Sequence, residues 1–207
     1  MTTQKNIKHG IEKSRYPAIA LIEFSSIAAG MTAGDAMIKK APIVMLKVGT
    51  VHAGKYLTLI GGDVASVEES YHEGLRICPE TIIDSVFLPN IHDQVHDAVL
   101  GFRSSRKYES LGVIETSTVA SNIDAADAGT KGANVIVMEI RLADGLGGKS
   151  FTIFNGKVDE VQAAIEIGTN RIKEKNIILH TTVIPKIDDL MASEIEKATN
   201  FFGGDRF

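Results

Sequence analysis

The apolar and polar positions of this chain run through one plan twice. Ala18-Ile-Ala-Leu-Ile-Glu-Phe24 is short, apolar and bounded by Pro17 and Ser25-Ser26, the pattern of a buried strand. Ser25 or Ser26 can cap the helix predicted next, over 27–40, where Ala28, Met31, Ala36 and Met37 supply an apolar face before Pro42 stops it. Residues 43–48 and 56–60 read as two further strands, joined by Gly49-Thr-Val-His-Ala-Gly-Lys55. Asp63 is placed to cap a second helix carrying Val64, Val67, Tyr71 and Leu75 at helical spacing. A fourth strand over 82–88 ends at Pro89. The order β-α-β-β-α-β is the ferredoxin-like split arrangement.

The second pass has strands at 111–115, 135–142, 151–154 and 177–184 and helices at 119–131 and 158–172. Glu23 matches Glu115, Asp35 matches Asp127 and Lys39 matches Lys131, each 92 positions apart. Beyond the turn, Gly54 matches Gly148, Lys55 matches Lys149 and Val64 matches Val158, now 94 apart. The change of offset places a two-residue insertion in the second copy, before its Gly-Lys. A repeat this long is a duplicated domain and no solenoid unit. Both copies begin with the same strand, so neither is circularly permuted. The fold class predicted is α+β: two tandem ferredoxin-like domains at 18–100 and 111–197. An extension (1–17), a charged linker (101–110) and a tail (198–207) complete the division.

Composition narrows the function. The 207 residues suit two domains, and a net charge of −4 with no basic patch argues against nucleic-acid binding. A single cysteine, Cys78, excludes a disulfide framework and fits a reducing cytosol. No apolar run is long enough to span a membrane, and the polar N-terminus lacks the core of a signal peptide. The expectation is a soluble cytoplasmic protein.

Candidate chemistry is sparse. Gly145-Leu-Gly-Gly148 lies between two strands, so no helix N-terminus follows it to hold a phosphate. His92 and His96 stand at i and i+4 without a third ligand nearby, and read as a surface pair. Glu68-Glu69 and Asp188-Asp189 fall on solvent faces. Glu23 and Glu115 recur at the end of each first strand, an architectural position as readily as a catalytic one. Nothing assembles a nucleophile, a base and an orienting partner, so the chain reads as a non-enzyme.

The first copy carries Ala-x-x-x-Ile-Glu, Gly-Asp-Ala-x-x-Lys-x-Ala-Pro, Gly-Lys, Gly-Asp-Val-x-x-Val and Leu-Pro. The second carries Gly-x-Ile-Glu-Thr, Ala-Ala-Asp-Ala-x-x-Lys-x-Ala-Asn-Val, Gly-Gly-Lys, Gly-x-Val-x-x-Val and Ile-Pro. Together they cover almost everything between Ala18 and Lys186 and resemble the bacterial microcompartment shell proteins. Two unpermuted copies resemble the tandem class, above all its propanediol-utilisation members with an iron–sulfur cluster in a central pore. The resemblance implies a structural role: a homotrimer imitating a hexamer, tiled against hexameric and trimeric shell proteins around encapsulated enzymes. It implies a pore lined by Thr50, Val51, His52, Ala53 and Gly54 and by Gly145, Leu146, Gly147, Gly148 and Ser150. It implies tile edges at Lys39, Lys131, Asn90 and Lys186.

The pore is where the chain departs from that resemblance. Aligned on Gly-Lys, His52 stands where the cluster cysteine is expected, and Leu146 at the matching place in the second copy. Cys78 lies outside the loop. No cofactor is required, and three readings of His52 stay open: a polar lining, a ligand to a metal or iron–sulfur centre on the axis, or a solvated side chain.

Overall fold

The computed structural model describes residues 16–104 and 110–201. The extension up to residue 15, the middle of the linker (105–109) and the tail beyond Phe201 lie outside the described residues.

The first domain comprises β1 (Ala18–Phe24), α1 (Ile27–Lys40), β2 (Val44–Val51), β3 (Lys55–Gly62), α2 (Val64–Ile77), β4 (Ile82–Leu88) and α3 (Asp93–Val99). The second comprises β5 (Ser110–Thr116), α4 (Val119–Gly132), β6 (Ile136–Leu142), β7 (Ser150–Gly156), α5 (Val158–Ile172), β8 (Ile178–Ile184) and α6 (Asp189–Lys197). Each domain has one antiparallel four-stranded sheet, in the orders β2-β3-β1-β4 and β6-β7-β5-β8. This is the ferredoxin-like order, with one short helix added after each last strand.

Strand alternation sorts the core. Ala20, Ile22 and Phe24 of β1 meet Ala33, Met37 and Val67 from the helices, while Ile19 and Leu21 face α3 through Val95, Ala98 and Val99. Every residue of β1 is buried, because both faces of its sheet are covered. The core under α3 runs on into the second domain, where Ile114, Ile123, Phe154 and Val161 continue it. In that domain α6 covers the outer face, with Ile195 packed near Leu111, Met138 and Ile153. Helices α4 and α5 touch backbone to backbone. A Cβ on Gly129 would stand 2.6 Å from the Ala164 carbonyl oxygen, and one on Gly168 2.6 Å from that of Ala125.

Several expectations are corrected. The β2–β3 register continues to Val51 opposite Lys55, so the loop predicted over 49–55 shrinks to a tip of three residues, His52–Gly54. His96 is no surface residue: it lies on α3, 2% exposed, and Nε2 accepts from the Tyr16 N–H. His92 caps α3, its Nδ1 accepting from Gln94 N–H. Arg103, in the linker, pairs with Glu139 and donates to the carbonyls of Ile195, Glu196 and Lys197, completing the C-terminus of α6. Among the described residues, no helix is long and apolar enough to cross a membrane.

Candidate functional site

The polar side chains of interest gather where the domains meet. Glu23, at the end of β1, is fully buried, and its Oε1 accepts from the Ala120 N–H at 2.7 Å. Its Oε2 lies 3.3 Å from Lys55 Nζ, which also donates to the carbonyls of Ser117 (2.9 Å) and Gly148 (3.1 Å). A carboxylate and an ammonium taken out of water thus find partners for most of their hydrogen-bonding groups. Burial pushes the Glu23 carboxyl above its usual range, offset in part by the Ala120 N–H and the Lys55 charge.

Asp84 lies directly across from Glu23 in the β1–β4 register. It reaches into the second domain, taking hydrogen bonds from the Ser121 N–H and from the hydroxyls of Ser121 and Thr118. Lys175 adds a charge 2.7 Å away. Burial works against ionisation here, but Lys175 and the two hydroxyls outweigh it and hold the carboxyl below its usual range. Thr118, the N-cap residue of α4, makes no capping bond of its own. Asp84 and Glu23 therefore cap α4 from the other domain, placing carboxylates where the helix dipole favours them.

Further along the same junction, Asp127 accepts from the His92 N–H at 2.7 Å and from Lys131 at 2.6 Å. Lys131 also donates to the Asn90 carbonyl. Gln94 of α3 brackets β6, donating to the Val135 carbonyl and accepting from the Val137 N–H. Two of the predicted edge residues, Lys131 and Asn90, thus meet within one chain. Lys39 pairs instead with Asp35 on its own exposed helix face, and Lys186 is exposed.

The two hairpin tips abut. Gly145 N–H donates to His52 Nδ1 at 2.8 Å, and Asp144 Oδ1 lies 3.0 Å from the same nitrogen. One nitrogen serves one partner at a time: without a hydrogen, Nδ1 accepts from the Gly145 N–H; carrying one, it donates to Asp144. Ala53, Gly54, Ala143, Gly145, Gly147 and Gly148 all take positive φ, so these tips are built from left-handed turns. A Cβ on Gly148 would stand 3.2 Å from that of Ala53 and 3.3 Å from Lys55 Cε, so glycine lets the second tip close over the first.

Of the predicted lining residues, Thr50, His52, Ala53, Gly54, Gly145 and Gly147 are exposed, and Val51 and Leu146 are half-buried. Gly148 is buried beneath Lys55, and Ser150 is buried within β7, its Oγ donating to the Arg141 carbonyl. Ser150 therefore offers nothing to the loop surface. Asp144, absent from the predicted lining, is the residue that meets His52. Counting forward from β2 would have paired them, since they stand 92 apart; counting back from Gly-Lys paired His52 with Leu146.

The residues present do not fit an iron–sulfur cluster. The β2–β3 tip holds an imidazole and no thiol, and Cys78 sits at the C-cap of α2. Among the described residues no group of three or more histidines, cysteines or carboxylates could hold a metal ion within one chain.

The BMC domain family matches residues 18–91 and 110–187. The bacterial microcompartment shell protein PduT of Citrobacter freundii is 37% identical over 174 residues, 84% of this chain and 95% of that protein. The carboxysome assembly protein CcmO of Synechococcus elongatus is 28% identical, over 85% of this chain and 68% of its own length. A crystal structure of a microcompartment protein from Desulfitobacterium hafniense superposes with a TM-score of 0.76 at 38% identity, covering 85% of this chain and 98% of that one. The chain belongs to the BMC domain family and carries two copies of that domain in tandem, the arrangement of a tandem-domain microcompartment shell protein.

Proposed function

We propose that this chain is a structural tile of a bacterial microcompartment shell, assembled as a closed ring of three chains around a central passage. A shell role accords with the family and with PduT, which is named as a shell protein. The observation that carries the ring is that the junction joining the two domains exists a second time, open at both ends of the chain.

One open end is the pair Glu115–Lys149, the counterpart of Glu23–Lys55. Its side chains are 33% and 55% exposed, against 0% and 13% for the first pair. The other is the outer face of α1. Met31 is 56% exposed there, while its counterpart Ile123 on α4 is fully buried against the first domain. Ile27 and Ile38 flank Met31 and are exposed as well. A face that is apolar in both copies but covered in only one calls for a partner. The β5–β8 end of one copy supplies it for the α1 face of the next, as β1–β4 does for α4. Repeating one contact head to tail closes a ring, and six domain positions take three chains.

In such a ring the tips of β2–β3 and β6–β7 alternate around the axis, so three His52 side chains stand between three Asp144 side chains. The passage would be polar and small, suited to metabolites, and would need no cofactor. Lys39 and Lys131, with Asn90 and Lys186, would lie toward the rim, where neighbouring hexameric and trimeric tiles meet. The proposed role is structural and non-enzymatic. Sedimentation velocity at micromolar concentration tests the ring: the expected species contains three chains, and a stable monomer would overturn it.

A further inference from the structure

The two kinds of junction in the proposed ring are not chemically alike. Within the chain, Asp84 caps α4 from outside and is neutralised by Lys175. At the open end, the residue across from Glu115 in the β5–β8 register is His180, as Asp84 is across from Glu23. The receiving helix has changed with it. Ala29 of α1 stands where α4 has Ser121, removing a hydroxyl donor. Ser26 caps α1 through its own Oγ, accepting from the Ala29 N–H, where Thr118 relied on Asp84. The first-domain turn corresponding to the one that carries Lys175 is Pro79–Thr81, which holds no base. The acid, one of its donors, its counter-charge and the helix's need for an outside cap have all been lost from the same contact.

Resting on the ring proposed above, we propose that the chain-to-chain junction is an acid-sensitive seam built around His180. Proton binding there separates chains while the two domains of each chain stay joined. The charges facing His180 fix the sign. From its own sheet come Glu115 and Lys149, which bond to each other at 2.8 Å and cancel. From the next copy comes the N-terminus of α1, a partial positive charge without an acidic residue in its first turn. Glu80 of the next copy's turn corresponds to Glu174, which is exposed and takes no part in the hydrogen bonds of Asp84. A neutral imidazole leaves the contact balanced, whereas an imidazolium sets a full positive charge against a helix N-terminus. Imidazole changes charge between about pH 5 and 8, so the seam weakens within that range.

Sedimentation equilibrium of the full chain at about pH 8 and about pH 5.5 tests this, with circular dichroism to follow the fold. The wild type is expected to be trimeric at the higher pH. Its dissociation should rise roughly tenfold or more at the lower pH, with the fold retained. His180→Gln should abolish that rise, and His52→Gln, at the loop tip, should leave it in place. An equally tight trimer at both pH values, or a rise abolished by His52→Gln and kept by His180→Gln, would overturn the seam and leave the ring standing. A monomer at the higher pH would overturn the ring itself.

Discussion

The buried carboxylate of Glu23 accepts a hydrogen bond from the backbone N–H of Ala120, 97 residues away, so the first strand of one domain caps the first helix of the other. Lys55 completes this joint from the next strand. Glu23→Ala removes the counter-charge of Lys55 and the acceptor of the Ala120 N–H in a buried place. Breaking a buried pair in this way costs about 3–5 kcal/mol. Glu115→Ala, at the exposed counterpart, should change chain stability by under about 1 kcal/mol but weaken trimer formation. Urea unfolding and sedimentation on the two variants separate these effects; equal losses of stability would contradict the asymmetry.

The same contrast holds for the helix faces. Ile123→Asp sets an unpaired charge into the closed junction and should prevent folding at ordinary temperatures. Met31→Asp, on the open face, should give a well-folded monomer. Circular dichroism and size-exclusion chromatography read both. A trimeric Met31→Asp would show that α1 carries no chain contact.

Stability should follow pH with opposite contributions from the two facing carboxylates. Asp84 titrates below its ordinary value of 3.8, so its contribution is present above that value and is lost as pH falls through the folded-state one. Glu23 titrates above its ordinary 4.5, so the native state gains on protonation as pH falls toward that value. Asp84→Asn should lower stability at neutral pH and flatten the loss in acid; Glu23→Gln should leave that acid loss intact. Denaturation midpoints across pH test this, and an unchanged acid slope in Asp84→Asn would contradict it.

Backbone contact between α4 and α5 gives a prediction free of electrostatics. A methyl group on Gly129 meets the Ala164 carbonyl and the ring of Phe154, and backbone cannot swing aside. Gly129→Ala should destabilise by about 1–3 kcal/mol, despite alanine's better helix propensity. Thermal unfolding checks the sign; a stabilised variant would mean that the helices separate freely.

Much of this was legible in the chain. Helices 27–40 and 158–172 and the strand 82–88 have the bounds that their apolar pattern predicts, and Pro42 and Pro89 punctuate the first helix and the strand. The seven-residue α3 and the nine-residue α6 leave no periodic signal in the sequence, since helices that short carry too few turns for a period to emerge. Ser26 and Asp63 were visible as caps because each bonds within its own turn. Asp84 was not, because its partners Thr118, Ser121 and Lys175 lie 34 to 91 residues away and no local pattern joins them. Asp144 was hidden by the two-residue insertion, which made Gly-Lys the natural anchor for alignment and shifted His52 onto Leu146. The motif that identified the loops thus misassigned their tips, and the strand register restored the pairing.

In the proposed ring the chain-to-chain junction copies the domain-to-domain one. Its most direct test is a bridge between the residues corresponding to Glu23 and Ala120, which are Glu115 of one chain and Ala28 of the next. With Cys78→Ser as background, Ala28→Cys and Glu115→Cys are combined in one chain and joined by a short bis-maleimide. Denaturing mass spectrometry should then find a covalent ladder that stops at a closed ring of three chains. An unbridged monomer, a closed dimer or a ladder running past three chains would rule out the ring.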